Sequence, residues 1–181
     1  MAVNKIIKMG NPVLRKVASK FTIDEIKLDS TKKLIKDMWD TMRSAGGIGL
    51  AAPQIGISKQ LAIINILEDS TRYPDSQESE EFIIFNPLIN YLPSDKQGYW
   101  EGCLSVPGLR GFVKRPSRIQ VDYLDENATE KKIVLNGFLA TVFQHELDHL
   151  RGKLFIDRMD DLRKLSYEDE FSVSDESILL D

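Results

Sequence analysis

Apolar residues recur at Leu34, Ile35, Met38, Trp39 and Met42, the three-and-four spacing of one helix face, and Gly46 and Gly47 stop the run. The spacing predicts an amphipathic helix from about Ser30, capped by Ser30 or Thr31 and packed on a core. Ahead of it, residues 3–9 read as a short strand, Asn11-Pro12 as a turn and Val13-Leu14 as a core anchor. Leu61-Ala-Ile-Ile-Asn-Ile-Leu67 is apolar enough for a buried strand, and the polar, acidic run from Glu68 to Glu81 reads as an exposed loop. Phe82-Ile-Ile-Phe85 resumes the sheet, Asn86-Pro87 ends that strand, and a further strand runs toward Tyr99-Trp100. From Arg118 to Leu124, Ile119, Val121 and Tyr123 alternate with polar neighbours, as in a half-buried strand. Asp125 to Asn127 makes a turn and Lys132-Ile-Val-Leu135 the returning strand. Asn136-Gly137 opens a second helix, which carries Phe138, Leu139, Val142 and Phe143 and closes at Arg151-Gly152, with Gly152 at the C′ position. Leu154-Phe155-Ile156 packs after it, and the stretch from Ser166 to Asp181 has little period and is expected to be loosely held.

The chain has 181 residues and 42% hydrophobic content, which suits one domain with a sizeable core. A net charge of −4 does not describe a dedicated nucleic-acid binder. No stretch approaches the roughly 20 apolar residues needed to span a bilayer, and the first ten residues carry no targeting character. Cys103 is the only cysteine, so no internal disulfide can form; a reducing, cytoplasmic setting is the expectation.

The chemistry concentrates in the second helix. Its sequence reads Gln144-His-Glu-Leu-Asp-His149, and these are the only two histidines in the chain. Four residues apart on a helix, they share a face and can hold one metal ion, and Glu146 beside them can take a proton from water on that metal. Chance would place the two histidines and the glutamate this way on the order of once in a thousand such chains. Upstream, Gly46-Gly-Ile-Gly-Leu-Ala-Ala-Pro-Gln-Ile-Gly56 is a stretch of small residues with one amide, Gln54. It is neither a dinucleotide fingerprint nor a phosphate loop; it lets another group approach closely and sets one polar side chain in an apolar wall. Glu101-Gly-Cys-Leu-Ser105 holds the lone cysteine, either a buried inert thiol or a thiolate ligand. Counted with the two histidines, the thiolate gives the three protein ligands of an open catalytic site.

Taken in order, Gly47-Ile-Gly-Leu-Ala-Ala-Pro-Gln54, Glu101-Gly-Cys-Leu-Ser105 and His145-Glu-Leu-Asp-His149 resemble the three motifs of peptide deformylases. The resemblance covers roughly residues 4–165. It implies an α+β fold in which antiparallel β-sheets pack around a central helix carrying HExxH. Residues 1–165 would form one catalytic domain and residues 166–181 an acidic tail. The implied activity is hydrolysis of the N-formyl group from the N-terminal formylmethionine of newly made proteins, releasing formate. Cys103, His145 and His149 would hold one divalent metal, Fe²⁺ in the typical member, with Ni²⁺, Co²⁺ or Zn²⁺ as alternatives; the ligands alone do not choose. Metal-bound water would attack the formyl carbon, with Glu146 as general base and the Gln54 amide and Leu104 backbone N–H stabilising the oxyanion.

The methionine pocket is expected from Ile48, Phe138, Thr141 and Val142, with the backbones of Gly49 and Gly108 pairing with an extended peptide. Arg110 either orients the substrate or is simply solvated. Glu101 is a candidate to support Cys103 or pair with Arg115, and Asp148 to accept from a ligand imidazole. The implied partners are nascent formylmethionyl chains and a transient contact with the ribosome, which some bacterial members make through a C-terminal extension. From HExxH alone, a metallopeptidase and a non-enzymatic metal-binding module are also open.

Overall fold

A computed structural model of the chain describes residues 2–66 and 78–170. Leu67 and the acidic segment to residue 77 lie outside these, as do residues 171–181 of the tail. Among the described residues three α-helices, α1 (Ile23–Lys27), α2 (Asp29–Ser44) and α3 (Gly137–His149), accompany eight strands in two antiparallel sheets. One sheet has the order β1-β2-β3-β6-β7: β1 is Gly49–Ala51, β2 Leu61–Ile64, β3 Phe82–Tyr91, β6 Arg118–Leu124 and β7 Glu130–Asn136. The other has the order β4-β5-β8, with β4 Lys96–Cys103, β5 Val106–Pro116 and β8 Leu165–Tyr167. This is a mixed α/β fold of antiparallel sheets with few helices.

The alternation in β2 sets the layers. Leu61 and Ile63 face one side, packing with Ile35, Met38, Trp39 and Met42 of α2. Ala62 and Ile64 face the other, packing with Ala140, Val142, Phe143 and Leu147 of α3. Successive strand residues point to opposite faces, so a strand covered on both sides reads as a continuous apolar run. Full burial of each larger side chain contributes about 1.5–3 kcal/mol. Beyond α3 lies the second sheet; α3 touches β1, β2, β6 and β7 on one side and β4 and β5 on the other.

Several sequence expectations need correction. Residues 3–9 form no strand; their amides go singly to separate partners, Ile7 N–H to the Gln54 carbonyl at 2.9 Å and Met9 N–H to that of Ser105 at 2.7 Å. Neither Ser30 nor Thr31 caps α2. The chain enters it directly from α1, which carries a capping box of Thr22 and Glu25, and the Thr31 hydroxyl donates to the Glu25 carbonyl at 2.6 Å. Asn86-Pro87 does not end its strand. β3 continues to Tyr91 because a bulge shifts its register between Phe85 and Leu88, accommodating the residue that lacks an N–H. Gly152 lies one position beyond C′, since α3 ends at His149 with Leu150 as its cap. Its φ of +69° and the Arg15 carbonyl, 2.6 Å from where a Cβ would stand, still demand glycine. The segment after Leu165 is not loose at its start: β8 pairs Tyr167 with Leu109 and Ser166 with Arg110.

Asn86 holds the bulge. Its φ is +49°, and its side chain accepts from the Phe21 N–H at 2.9 Å and donates to the Phe21 carbonyl at 2.8 Å. Asn86→Ala should therefore cost about 2–4 kcal/mol, the left-handed penalty plus two hydrogen bonds. Urea unfolding measures this; a loss below about 0.5 kcal/mol, the scale of ordinary surface changes, would rule out the anchoring role.

Candidate metal centre

One turn apart on α3, His145 and His149 present their rings 5.1 Å apart between centroids. Cys103 reaches them from the end of β4, where the pairing with β5 shifts register between Gly102 and Cys103. Its Sγ lies 3.3 Å from His149 Nε2, and one ligand atom from each of Cys103, His145 and His149 lies within 4.8 Å of the others. All three residues are buried. Metal bonds of about 2.0–2.3 Å in a tetrahedral site put donors roughly 3.5 Å apart, so the set fits a single divalent ion.

The surroundings favour the thiolate of Cys103. Burial pushes the Cys103 thiol up, but the imidazoles of His149 and His145 outweigh it and hold the thiol well below its usual range. Ser105 N–H and the Gln54 amide also donate to Sγ, at 3.4 and 3.6 Å. His145 Nδ1 bonds Glu101 Oε2 at 2.8 Å, which turns the ring so that Nε2 faces the cluster. Burial lowers the pKa of His145, yet Cys103 and Glu101 raise it well above the usual value.

Behind Glu101 stands Arg115, donating from Nε at 2.6 Å and from Nη2 at 3.0 Å. Arg115 also donates to Asp148 at 2.8 Å, and Asp148 accepts from Arg158 Nε at 3.0 Å. Glu101 thus serves His145 and Arg115 together. Asp148 does not support an imidazole: each helix residue turns by about 100°, so Asp148 is carried off the face of His149 toward the arginines. Among the described residues His149 Nδ1 has no hydrogen-bond partner.

Glu146 is buried, and burial pushes its carboxyl up. A Cβ on Gly49 would stand 2.4 Å from Glu146 Oε1, so the carboxylate occupies the space that this glycine leaves open. Gln54 is fixed at both ends of its amide: Oε1 accepts from Ala51 N–H at 2.8 Å, and Nε2 donates to Ser105 Oγ at 3.3 Å and faces Cys103. These groups close a cavity of about 40 Å³.

Ile48, Gly49, Phe138, Thr141 and Val142 line this cavity together with Gln54, Leu104 and Glu146. Gly108 and Arg110 do not; they line an adjoining cavity that shares Cys103 and Leu104. Gly47 and Gly102 are also in the wall. Gln97, which no motif marks, donates to Thr141 Oγ1 at 3.0 Å and so fixes a wall residue.

A buried thiol, two imidazoles and a neighbouring carboxylate are the parts of a metal-dependent hydrolase. The chain belongs to the polypeptide deformylase family, whose profile matches residues 3–165, and is accordingly an enzyme with the deformylase role. It is 45% identical to a peptide deformylase of Leptospira biflexa over 174 residues, 96% of this chain and 97% of that protein. The structure of a class I type b peptide deformylase from Acinetobacter baumannii bound to Met-Ala-Ser superposes with a TM-score of 0.83 at 36% identity, covering 87% of this chain and 99% of that one. A Synechococcus elongatus peptide deformylase in complex with actinonin superposes at 0.77 with 38% identity, over 89% and 81% of the two chains.

Gly49→Ala should displace the Glu146 carboxylate. Formate release should fall about 100-fold or more, the scale of general acid–base catalysis, while metal content is unchanged. Activity within a few fold of the parent would show that the carboxylate has room elsewhere. Arg115→Ala leaves the buried Glu101 without its arginine and Asp148 with Arg158 alone, and should destabilise the fold by about 3–5 kcal/mol in denaturant titration.

Proposed function

We propose that this enzyme removes the formyl group from the N-terminal formylmethionine of newly made polypeptides through a metal centre held by Cys103, His145 and His149. The observation that carries the reading is the convergence of these three ligand atoms within 4.8 Å beside a buried Glu146 in one cavity. Fe²⁺ is the proposed physiological ion, with Ni²⁺, Co²⁺ or Zn²⁺ as substitutes, since a thiolate and two imidazoles serve all four. When bound, such an ion supplies a Lewis acid that lowers the pKa of water from 15.7 toward about 7.

The chain's own groups do the rest. Glu146 takes the proton from the attacking water and hands it to the departing amine; a carboxyl raised by burial is suited to both transfers. The Gln54 amide, locked by Ala51 and Ser105, and the Leu104 backbone N–H receive the charge that develops on the formyl oxygen. One such donor is worth about 3–4 kcal/mol in comparable sites. The narrow cavity suits a formyl group, and the methionine side chain lies against Ile48, Phe138, Thr141 and Val142. The peptide extends along β1, the terminal strand of its sheet, at Gly49 and onward past Gly108 and Arg110. The Met-Ala-Ser bound to the Acinetobacter baumannii relative supports a tripeptide-length path.

In this reading the two sheets wrap α3 as the helix that bears His145, Glu146 and His149, and residues 1–165 are the catalytic domain. Ser166 and Tyr167 complete its second sheet before the acidic tail. No helix among the described residues is long and apolar enough to cross a membrane. The proposed setting is the cytoplasm, acting on chains as they leave the ribosome, with any contact to the ribosome itself transient.

Nickel-loaded protein should release formate from formyl-Met-Ala-Ser without cutting an internal bond. Glu146→Ala should abolish release and keep the metal, whereas Cys103→Ser should lose the metal. Internal cleavage, or metal-replete protein with no formate, would overturn the reading.

A further inference from the structure

The cavity beyond the metal pocket is about 450 Å³ and carries two charged side chains, Arg110 of β5 and Glu168 just past β8. They pair at 3.0 Å, and β8 holds Glu168 in place through its N–H, which donates to the Gly108 carbonyl at 2.9 Å. The two partners differ in exposure: the Arg110 side chain is 13% exposed and that of Glu168 42%. The guanidinium is therefore a fixed part of the wall, and the carboxylate is its partner on the water side. Exposed ion-pair partners are held weakly and exchange readily.

An extended peptide advances about 3.3 Å per residue and turns every second side chain to the same face. With the methionine side chain in the metal pocket, the side chain two residues later faces the same wall, about 7 Å further on. The adjoining cavity borders the metal pocket, sharing Cys103 and Leu104 with it, and is the neighbouring space open to that side chain. Resting on the deformylase reading, we propose that Arg110 and Glu168 select the third residue of the substrate. An acidic side chain there takes the place of Glu168 on Arg110, and a basic one meets the guanidinium and is disfavoured. Glu168 stands in for the substrate carboxylate when the site is free, so the buried-edge cation keeps a partner throughout.

The test compares kcat/KM for formyl-Met-Ala-Glu and formyl-Met-Ala-Lys, so that a general loss of activity cancels in the ratio. The parent should favour the glutamyl peptide about fivefold at low salt, an advantage that fades near 0.5 M salt as exposed pairs are screened. Glu168→Gln should widen the ratio by removing the competitor, and Arg110→Gln should invert it by leaving Glu168 unpaired. A merely structural pair would slow both peptides alike and leave the ratio at one. A parent ratio of one, or a preference that survives Arg110→Gln, overturns the proposal. Calorimetric binding of Met-Ala-Glu and Met-Ala-Lys reads the same ratio without turnover. Protein that released no formate would thus fail the deformylase reading while these affinities still decided this one.

Discussion

Glu101 is 4% exposed, and both of its oxygens are committed, Oε1 to Arg115 and Oε2 to Arg115 and His145. Burying each such charge costs several kcal/mol, and the cost is met only where partners and geometry are complete. The shifts agree on a fully ionised cluster. Burial pushes against every charged form, yet Glu101 and Asp148 are held below the usual carboxylate range and Arg115 above the usual guanidinium value. A network of this kind tolerates little displacement. It ties β4 through Glu101, β5 through Arg115, α3 through Asp148 and His145, and the turn after α3 through Arg158. The orientation of the ring at His145 follows from that constraint, so the position of one proposed metal ligand is set by the assembly of four separate segments.

The same burial explains the unusual character of α3. From Ala140 to His149 every residue is buried, and six of these ten are polar. A helix enclosed on all sides is ordinarily apolar on all sides. Here each polar side chain is given something to do: Gln144 donates to the Pro116 and Ala140 carbonyls, Thr141 accepts from Gln97, and Asp148 takes two arginines. Glu146 Oε2 and His149 Nδ1 are the exceptions on this helix, with no partner among the described residues. A buried polar atom left without a partner calls for a reason, and the role of base proposed for Glu146 supplies one, since a base needs an unshared lone pair.

The sequence made some of this legible and hid the rest for physical reasons. Periodicity located α2, α3 and the core of β2, because amphipathic and doubly buried segments write their environment into every position. The two histidines and Glu146 were legible because helical spacing converts sequence separation directly into proximity. The pairing of Glu101 with Arg115 was one of two alternatives read there, and other long-range partners were not legible. Asp148 was assigned to an imidazole because nothing local indicates that Arg115 and Arg158 converge on it from other elements. Asn86-Pro87 looked like a stop because a bulge that absorbs a proline depends on the strand beside it. β8 was missed because three residues after a charged stretch carry no period; their order comes from pairing with Leu109 to Gly111. Gly108 and Arg110 were expected beside an extended peptide and not in the methionine pocket, and β5 carries both into the neighbouring cavity.

The glycine-rich loop shows how the three motifs depend on one another. A Cβ on Gly47 would stand 2.8 Å from Leu104 Cδ1, and one on Gly49 would stand 2.4 Å from Glu146 Oε1. Both glycines thus lack a side chain because a residue of another motif fills its place. Gly47 makes room for the residue after the cysteine, and Gly49 for the glutamate of the helix. The alternation of a strand-like segment separates these two glycines by one residue, Ile48, whose side chain joins the cavity wall instead. Gln54 completes the loop's part by bonding back to Ala51 while its amide faces Cys103. The spacing of small residues in the first motif is therefore a mould of side chains in the other two. A larger residue introduced in the loop acts on the metal pocket by displacing Leu104 or Glu146, with no change to any ligand.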